Sequence, residues 1–528
     1  MNTSLAQSTP GVDFRYGAAI ALFVAAGLAA PSATSIAPDQ QPAAVQAQTP
    51  PPIPAREESS VTEHTIRLGG QVVPYTATAS TTYVKNDRDE PIGLIYSAAY
   101  TRSDVKDPST RPVSFLYNGG PGSATMWLHM GAFGPRRVAT VNGVFTPPAP
   151  YSLVDNAESL LDKTDLVFID AMGTGYSRAT GRGQERDFYG VDEDAQAFAQ
   201  FIVTYISRNG RWNSPKFLIG ESYGTFRSAV LANLLQSRYT VHLNGVDLIS
   251  SVLDLSTITF APGDDRVYVY YLPSYAAVAW YHKVLANRPA NLVPFLDDAR
   301  KFAQGEFAAA LAKGSALAPA EKAAMAKKVS SFTGLSEDYL VKANLRVNLA
   351  QFNVELMRNR GLTAGRIDAR FTGYTFDLLS ENMEGDPEGP AVGGAFTALI
   401  NAYNRDELKF GADKTYRNTS GGGGGWNWTR PSVPQRGFPS APNSQNDLAQ
   451  AMITNPKLLV QVENGYFDMA TPFLPTEFTM SHLNLPADLQ SHVTLKYYNA
   501  GHMMYLQDDD RVALHANLAS FIDRAMRR

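Results

Sequence analysis

Cysteine does not occur anywhere in the chain. No disulfide can staple the fold, no thiol can act as nucleophile, no thiolate can hold a metal, and no lipid can be attached to a processed N-terminal cysteine. Charge is also sparse. Charged residues make up 18% of the 528 positions and the net charge is −4, so the basic stripe that a nucleic-acid partner would need is missing. Gly173-Thr174-Gly175 is glycine-rich, but it fits neither G-x-x-x-x-G-K-[ST] nor G-x-G-x-x-G, which discounts nucleotides. The longest apolar run, Tyr16 to Ala30, falls short of the roughly 20 residues that span a bilayer. No internal repeat is apparent.

What is present is a sizeable apolar fraction, 44%, enough to build a core. The short run after Arg15, followed by small residues such as Ser32 and Ala33, reads as a secretory signal, with an uncleaved anchor as the alternative. From Pro38 to Arg56 the chain is rich in Pro, Ala and Gln and reads as an extended linker. Export without disulfides leads us to expect a bacterial periplasmic or secreted protein, with no stable membrane insertion once the signal is removed.

Beyond the linker, alternating segments from His64 to Arg102 predict antiparallel strands. Short apolar runs follow at Val113–Tyr117, Leu166–Ile169, Phe217–Ile219, Val246–Ser250, Leu458–Val462 and Val493–Tyr498, interleaved with helical patterns such as Asp192–Ser207 and Thr225–Leu235. That alternation predicts an α/β core whose mostly parallel central sheet is flanked by helices. The pattern breaks between about Phe260 and Ala441, where Ala/Lys-rich helical segments (Phe302–Leu311, Ala320–Val329) predict an inserted helical cap. The expected organisation is therefore 1–58 signal and linker, 59–260 first part of the core, 261–440 cap, and 441–528 second part of the core.

Gly220-Glu221-Ser222-Tyr223-Gly224 stands between a predicted strand and a predicted helix. Chance would supply on the order of 0.2 matches to G-x-S-x-G in such a chain, so its placement carries the weight. A serine in that turn is lifted above the sheet, with the next backbone N–H facing a reacting carbonyl. Such a nucleophile needs a base and an orienting acid downstream, in the order acid then histidine. Of eight histidines, His502 alone follows a predicted strand into a glycine-containing loop, Asn499-Ala500-Gly501-His502. Asp468 lies just past the preceding strand; Glu463 and the Asp508-Asp509-Asp510 run are its competitors, the latter most simply a solvated loop or helix start. An oxyanion hole needs two donors: the Tyr223 amide is one, and the loop carrying Gly119 and Gly120 after Tyr117 is expected to give the other.

Taken together, Asn118-Gly119-Gly120-Pro121-Gly122-Ser123, the serine pentapeptide, Asp468 and Ala500-Gly501-His502-Met503 resemble the serine carboxypeptidase family in its bacterial form, in motif order over roughly residues 60 to 525. The resemblance implies an α/β-hydrolase fold with a helical cap, a triad of Ser222, Asp468 and His502, and an oxyanion hole from the Gly120 and Tyr223 amides. It further implies that Asn118, the Gly119 amide and Glu221 bind the free α-carboxylate of a peptide, with no metal or other cofactor. Three positions depart from the familiar eukaryotic pattern: Ser123 replaces Cys, Leu116 replaces Trp, and Ala132 replaces a glutamate that pairs with the elbow glutamate. The expected activity is serine-type removal of C-terminal residues from a peptide substrate through an acyl-enzyme. An esterase or acyltransferase with the same triad is the alternative, and a non-catalytic binding module on this scaffold is a third reading from a different class.

Overall fold

The structure, a computed structural model, describes residues 56–420, 425–431 and 440–527. The expected export segment, most of the linker and most of the Gly421–Gly425 run lie outside the described residues. Three long strands open the described chain: β1 (Ser59–Leu68), β2 (Gln71–Lys85) and β3 (Pro91–Arg102). They pair antiparallel. In β2 the alternate residues Val73, Tyr75, Ala77 and Ala79 are buried while their neighbours are partly exposed, the period of a sheet with one covered face.

Six shorter strands complete the sheet: β4 (Val113–Tyr117), β5 (Asp165–Ile169), β6 (Lys216–Glu221), β7 (Gly245–Ile249), β8 (Leu459–Gly465) and β9 (Val493–Tyr498). Their order is β1-β2-β3-β5-β4-β6-β7-β8-β9, with Arg178–Ala179 adding a short strand to β3. From β5 to β9 every pairing is parallel. Strands β4 to β8 are buried along their whole length, which is why they read as continuous apolar runs rather than alternating ones.

Helices α1 (Val191–Arg208) and α2 (Tyr223–Tyr239) cover one face, where Phe198, Phe201, Leu231 and Leu235 meet Phe115, Leu218 and Val246. Asp192, Glu193 and Asp194 occupy the first turn of α1 and Arg208 its last, each complementing the helix dipole. Between β7 and β8 the chain leaves the sheet and builds further helices, among them α3 (Arg266–Tyr281), Pro319–Thr333 and α4 (Glu388–Asp406). Much of this stretch packs around its own apolar cluster, including Tyr271, Tyr275, Leu296, Phe307 and Phe352, which runs on to Phe467 and Phe473 just past β8. The helix predicted at Phe302–Leu311 is interrupted by a π-helical turn at Ala303–Phe307. The last helix, α5 (Asp508–Met526), closes the other face of the sheet through Leu514, Leu518 and Phe521. Among the described residues no helix is long and apolar enough to cross a membrane.

One consequence of the strand order positions the site. The chain leaves β4 for β5 on one side and later crosses to β6 on the other, so the loops after β4 and β6 diverge at a topological switch point. A crevice opens there, at the carboxyl ends of parallel strands.

Candidate active site

Ser222 links β6 to α2 with φ +62° and ψ −130°, a conformation that a serine adopts only under strong constraint. The constraint is visible: the Ser222 N–H donates to the Ile249 carbonyl at 2.9 Å and the Ser222 carbonyl accepts from Thr225 N–H at 2.8 Å. A Cβ on Gly220 would come within 2.3 Å of the Gly224 carbonyl oxygen, so only glycine lets the strand turn this tightly into the helix. The Tyr223 N–H belongs to the first turn of α2, where it has no partner within the helix.

Opposite the elbow runs the loop after β4. A Cβ on Gly119 would lie 2.4 Å from the Tyr223 nitrogen and 2.6 Å from the Gly224 nitrogen, which shows how closely the two backbones approach. Arg227 locks them together from below. It is fully buried, pairs with Asp194 of α1 at 2.6 Å, donates to the Asn118 carbonyl at 2.8 Å, and lies 4.3 Å over the Phe198 ring.

Past β8, Asp468 collects donors: the amides of Ala470 and Thr471 at 2.8 and 2.9 Å and the Thr471 hydroxyl at 2.7 Å. Its Oδ2 lies 2.7 Å from His502 Nδ1. Burial alone would push the Asp468 carboxyl up, but the charge and hydrogen bond of His502 and the Thr471 donors outweigh it and hold it below its ordinary value. Burial likewise pushes His502 down, and Asp468, with a further contribution from Glu221, raises it above the ordinary imidazole value. The His502 loop is fastened on three sides: its N–H donates to the Ile367 carbonyl at 2.9 Å, its carbonyl accepts from Ser250 Oγ at 2.6 Å, and Gly501 N–H reaches Asp368 at 3.3 Å. Neither competing acid reaches the imidazole. Glu463 bonds Gln461 and Tyr498 within the sheet, and Asp508–Asp510 form the first turn of α5. His129, by contrast, is a core residue beside Tyr100, pushed down to about 3 by burial.

Ser222, Tyr223, His502, Asn118, Gly119, Gly120 and Glu221 all border one cavity of about 450 Å³. Asp468 stands behind His502. Glu221 Oε1 accepts from Asn118 Nδ2 at 2.7 Å, and Asn118 Oδ1 accepts from Leu128 N–H at 3.0 Å, which fixes the amide orientation. Burial pushes the Glu221 carboxyl up to about 7; His502, the nearby Tyr505 hydroxyl and the Asn118 amide oppose that shift without cancelling it. The arrangement can take a proton from a hydroxyl, hold the resulting imidazolium, and offer backbone donors to a developing oxyanion.

Two wall residues, Glu388 and Arg366, have no local sequence signal. Glu388, in the first turn of α4, is buried and raised well above the ordinary carboxyl value by burial and by Asp386, Asp368 and Glu221. It brings a second carboxyl to the cavity, whereas Ala132 is a core residue beneath it. Tyr505 acts on Glu221 from three residues beyond His502, near enough to a recognised motif to have been found. Arg366 lines the cavity from a loop between β7 and β8.

The chain is similar to known proteins in sequence and in fold. The family model described as "Serine carboxypeptidase" matches residues 71–285. Serine carboxypeptidase-like 45 of Arabidopsis thaliana is 27% identical over 188 residues, covering 33% of this chain and 36% of the relative. Serine carboxypeptidase-like 33 of the same plant is 30% identical over 141 residues, 26% of this chain and 27% of the relative. The chain thus matches about a third of the length of these curated relatives. A crystal structure of Kex1Δp, a prohormone-processing carboxypeptidase from Saccharomyces cerevisiae, aligns with a TM-score of 0.53 at 14% identity, over 85% of this chain and 92% of that one. The fold is that of an α/β-hydrolase, and the resemblance to serine carboxypeptidases holds.

Proposed function

We propose that this protein is a serine carboxypeptidase that removes C-terminal residues from peptides through an acyl-enzyme. The observation that carries the reading is His502, hydrogen-bonded to Asp468 behind it, sharing a cavity wall with the strained Ser222, beside a carboxyl that burial raises to about 7. His502 takes the Ser222 proton as Oγ attacks the scissile carbonyl, then gives it to the leaving amine; Asp468 holds the tautomer and stabilises the imidazolium. The Gly120 and Tyr223 amides receive the oxyanion. Water then attacks the acyl-enzyme with His502 again as base, releasing the shortened peptide and restoring Ser222.

Asn118, the Gly119 amide and Glu221 hold the substrate α-carboxylate. Glu221 suits that task because a protonated carboxyl donates to a carboxylate, where an ionised one would repel it. The same triad could cleave esters; the buried carboxyls beside it favour a substrate with a free carboxylate. We read residues 261–440 as a cap over this site and the N-terminal apolar run as an export signal, in a bacterial periplasmic or secreted protein. A fluorophosphonate probe tests the nucleophile: it labels the wild type and leaves Ser222→Ala unlabelled, whereas equal labelling of both, or of neither, contradicts a catalytic Ser222.

A further inference from the structure

Glu221, Glu388, His502 and Arg366 all line the cavity. Both carboxyls are shifted toward their neutral forms by burial. Arg366 is therefore the fixed charge that a substrate meets. Its position is fixed as well. The Arg366 carbonyl accepts from Met469 N–H at 3.1 Å, and the Arg366 and Ile367 amides both donate to Asp386, at 3.2 and 2.9 Å. Since the Ile367 carbonyl accepts from His502 N–H, the backbone of this loop is fastened between the Asp468 and His502 loops.

The guanidinium itself has no ion pair or hydrogen bond among the described residues. Arg346, Arg358 and Arg370 nearby in the chain each hold a carboxylate. Nor is Arg366 occupied by the cavity acids. Its charge acts on His502, and neither Glu221 nor Glu388 pairs with it. It is exposed and lines the cavity, whose wall also includes Val252, Leu255 and Ile258.

We propose that Arg366 is a specificity-determining residue that pairs with a carboxylate side chain of the substrate residue flanking the scissile bond, so that peptides with Asp or Glu next to that bond are the preferred class. A guanidinium presents a planar pair of N–H donors that matches a carboxylate, and the α-carboxylate has its own site at Asn118 and Glu221. The inference rests on the peptidase reading.

The test compares N-blocked dipeptides with a free C-terminus that carry Glu or Gln, in turn, on either side of the scissile bond. The wild type is expected to show kcat/KM about tenfold higher for Glu than for Gln at one of the two positions, as a charge-assisted hydrogen bond would give. Arg366→Gln is expected to abolish that ratio while keeping turnover of the Gln peptides, and Arg366→Glu to turn the preference toward Lys. A ratio retained in Arg366→Gln overturns the proposal. So does an equal loss on Glu and Gln peptides, which would place the α-carboxylate, not the side chain, against Arg366. Failure of the peptidase reading looks different: the wild type would cleave none of the four peptides while still cleaving an ester.

Discussion

Glu221 occupies the position of the elbow pentapeptide that the local turn leaves free to vary, yet its surroundings give it a definite titration. Its carboxyl is raised to about 7, so the proton needed for binding a substrate carboxylate is present in acid and lost as pH climbs through neutrality. KM for a free-acid peptide should be flat below about pH 6 and rise about tenfold per pH unit well above 7, the behaviour of a single required proton. Glu221→Gln keeps a neutral donor at every pH, so its KM profile should be flat; initial rates measured from pH 4 to 9 check both. A wild-type KM that does not change across that range contradicts the role. The sequence shows Glu221 but not its pKa, because the burial responsible comes from cavity walls brought together only by the fold.

Two elements carry consequences of their own. Asp247 on β7 is fully buried, with neither carboxylate oxygen hydrogen-bonded within the protein. Burial, and then Glu463 on the neighbouring strand, raise it well above its ordinary value. Its folded-state pKa exceeds the unfolded one, so the folded protein holds a proton that the unfolded chain releases, and stability falls as pH rises above about 4 toward the folded value. Asp247→Asn removes that linkage. It should stabilise the protein at pH 7, with the gain shrinking toward pH 4, as urea unfolding at the two pH values would show. A second element effect runs through α2. Arg227→Met strands the Asp194 charge and frees the Asn118 carbonyl, which should cost about 3–5 kcal/mol in thermal or urea unfolding. Strands β4 to β9 were legible because each is a short apolar run ending in turn residues, with boundaries off by up to three residues. The interruption at Ala303–Phe307 was not, because a π turn leaves the helical pattern of apolar residues almost unchanged.

At the scale of the whole molecule, the site gathers residues from three distant parts of the chain. Asn118 and Ser222 lie in the part that matches the serine carboxypeptidase family model, Glu388 and Arg366 in the stretch between β7 and β8, and Asp468 and His502 near the end. The first and last groups could be read from sequence because a strand end, a glycine and a reactive side chain must occur together there. Glu388 and Arg366 could not: their placement depends on Asp386, which accepts hydrogen bonds from the amides of Arg366, Ile367 and Glu388. No spacing rule connects residues that meet only through such a shared carboxylate. The acid that the resemblance expects at the position of Ala132 is missing, and Glu388 brings a carboxyl to the cavity from another part of the fold. Whether these groups select a free C-terminal carboxylate for Ser222 to act beside is decided by kcat/KM for one N-blocked dipeptide and its C-terminal amide at pH 5. The free acid is expected to be cleaved about 100-fold more efficiently, as two charge-assisted hydrogen bonds would give, with both activities lost in Ser222→Ala; equal rates on acid and amide, with a simple ester cleaved faster than either, would rule out selection of a free carboxylate.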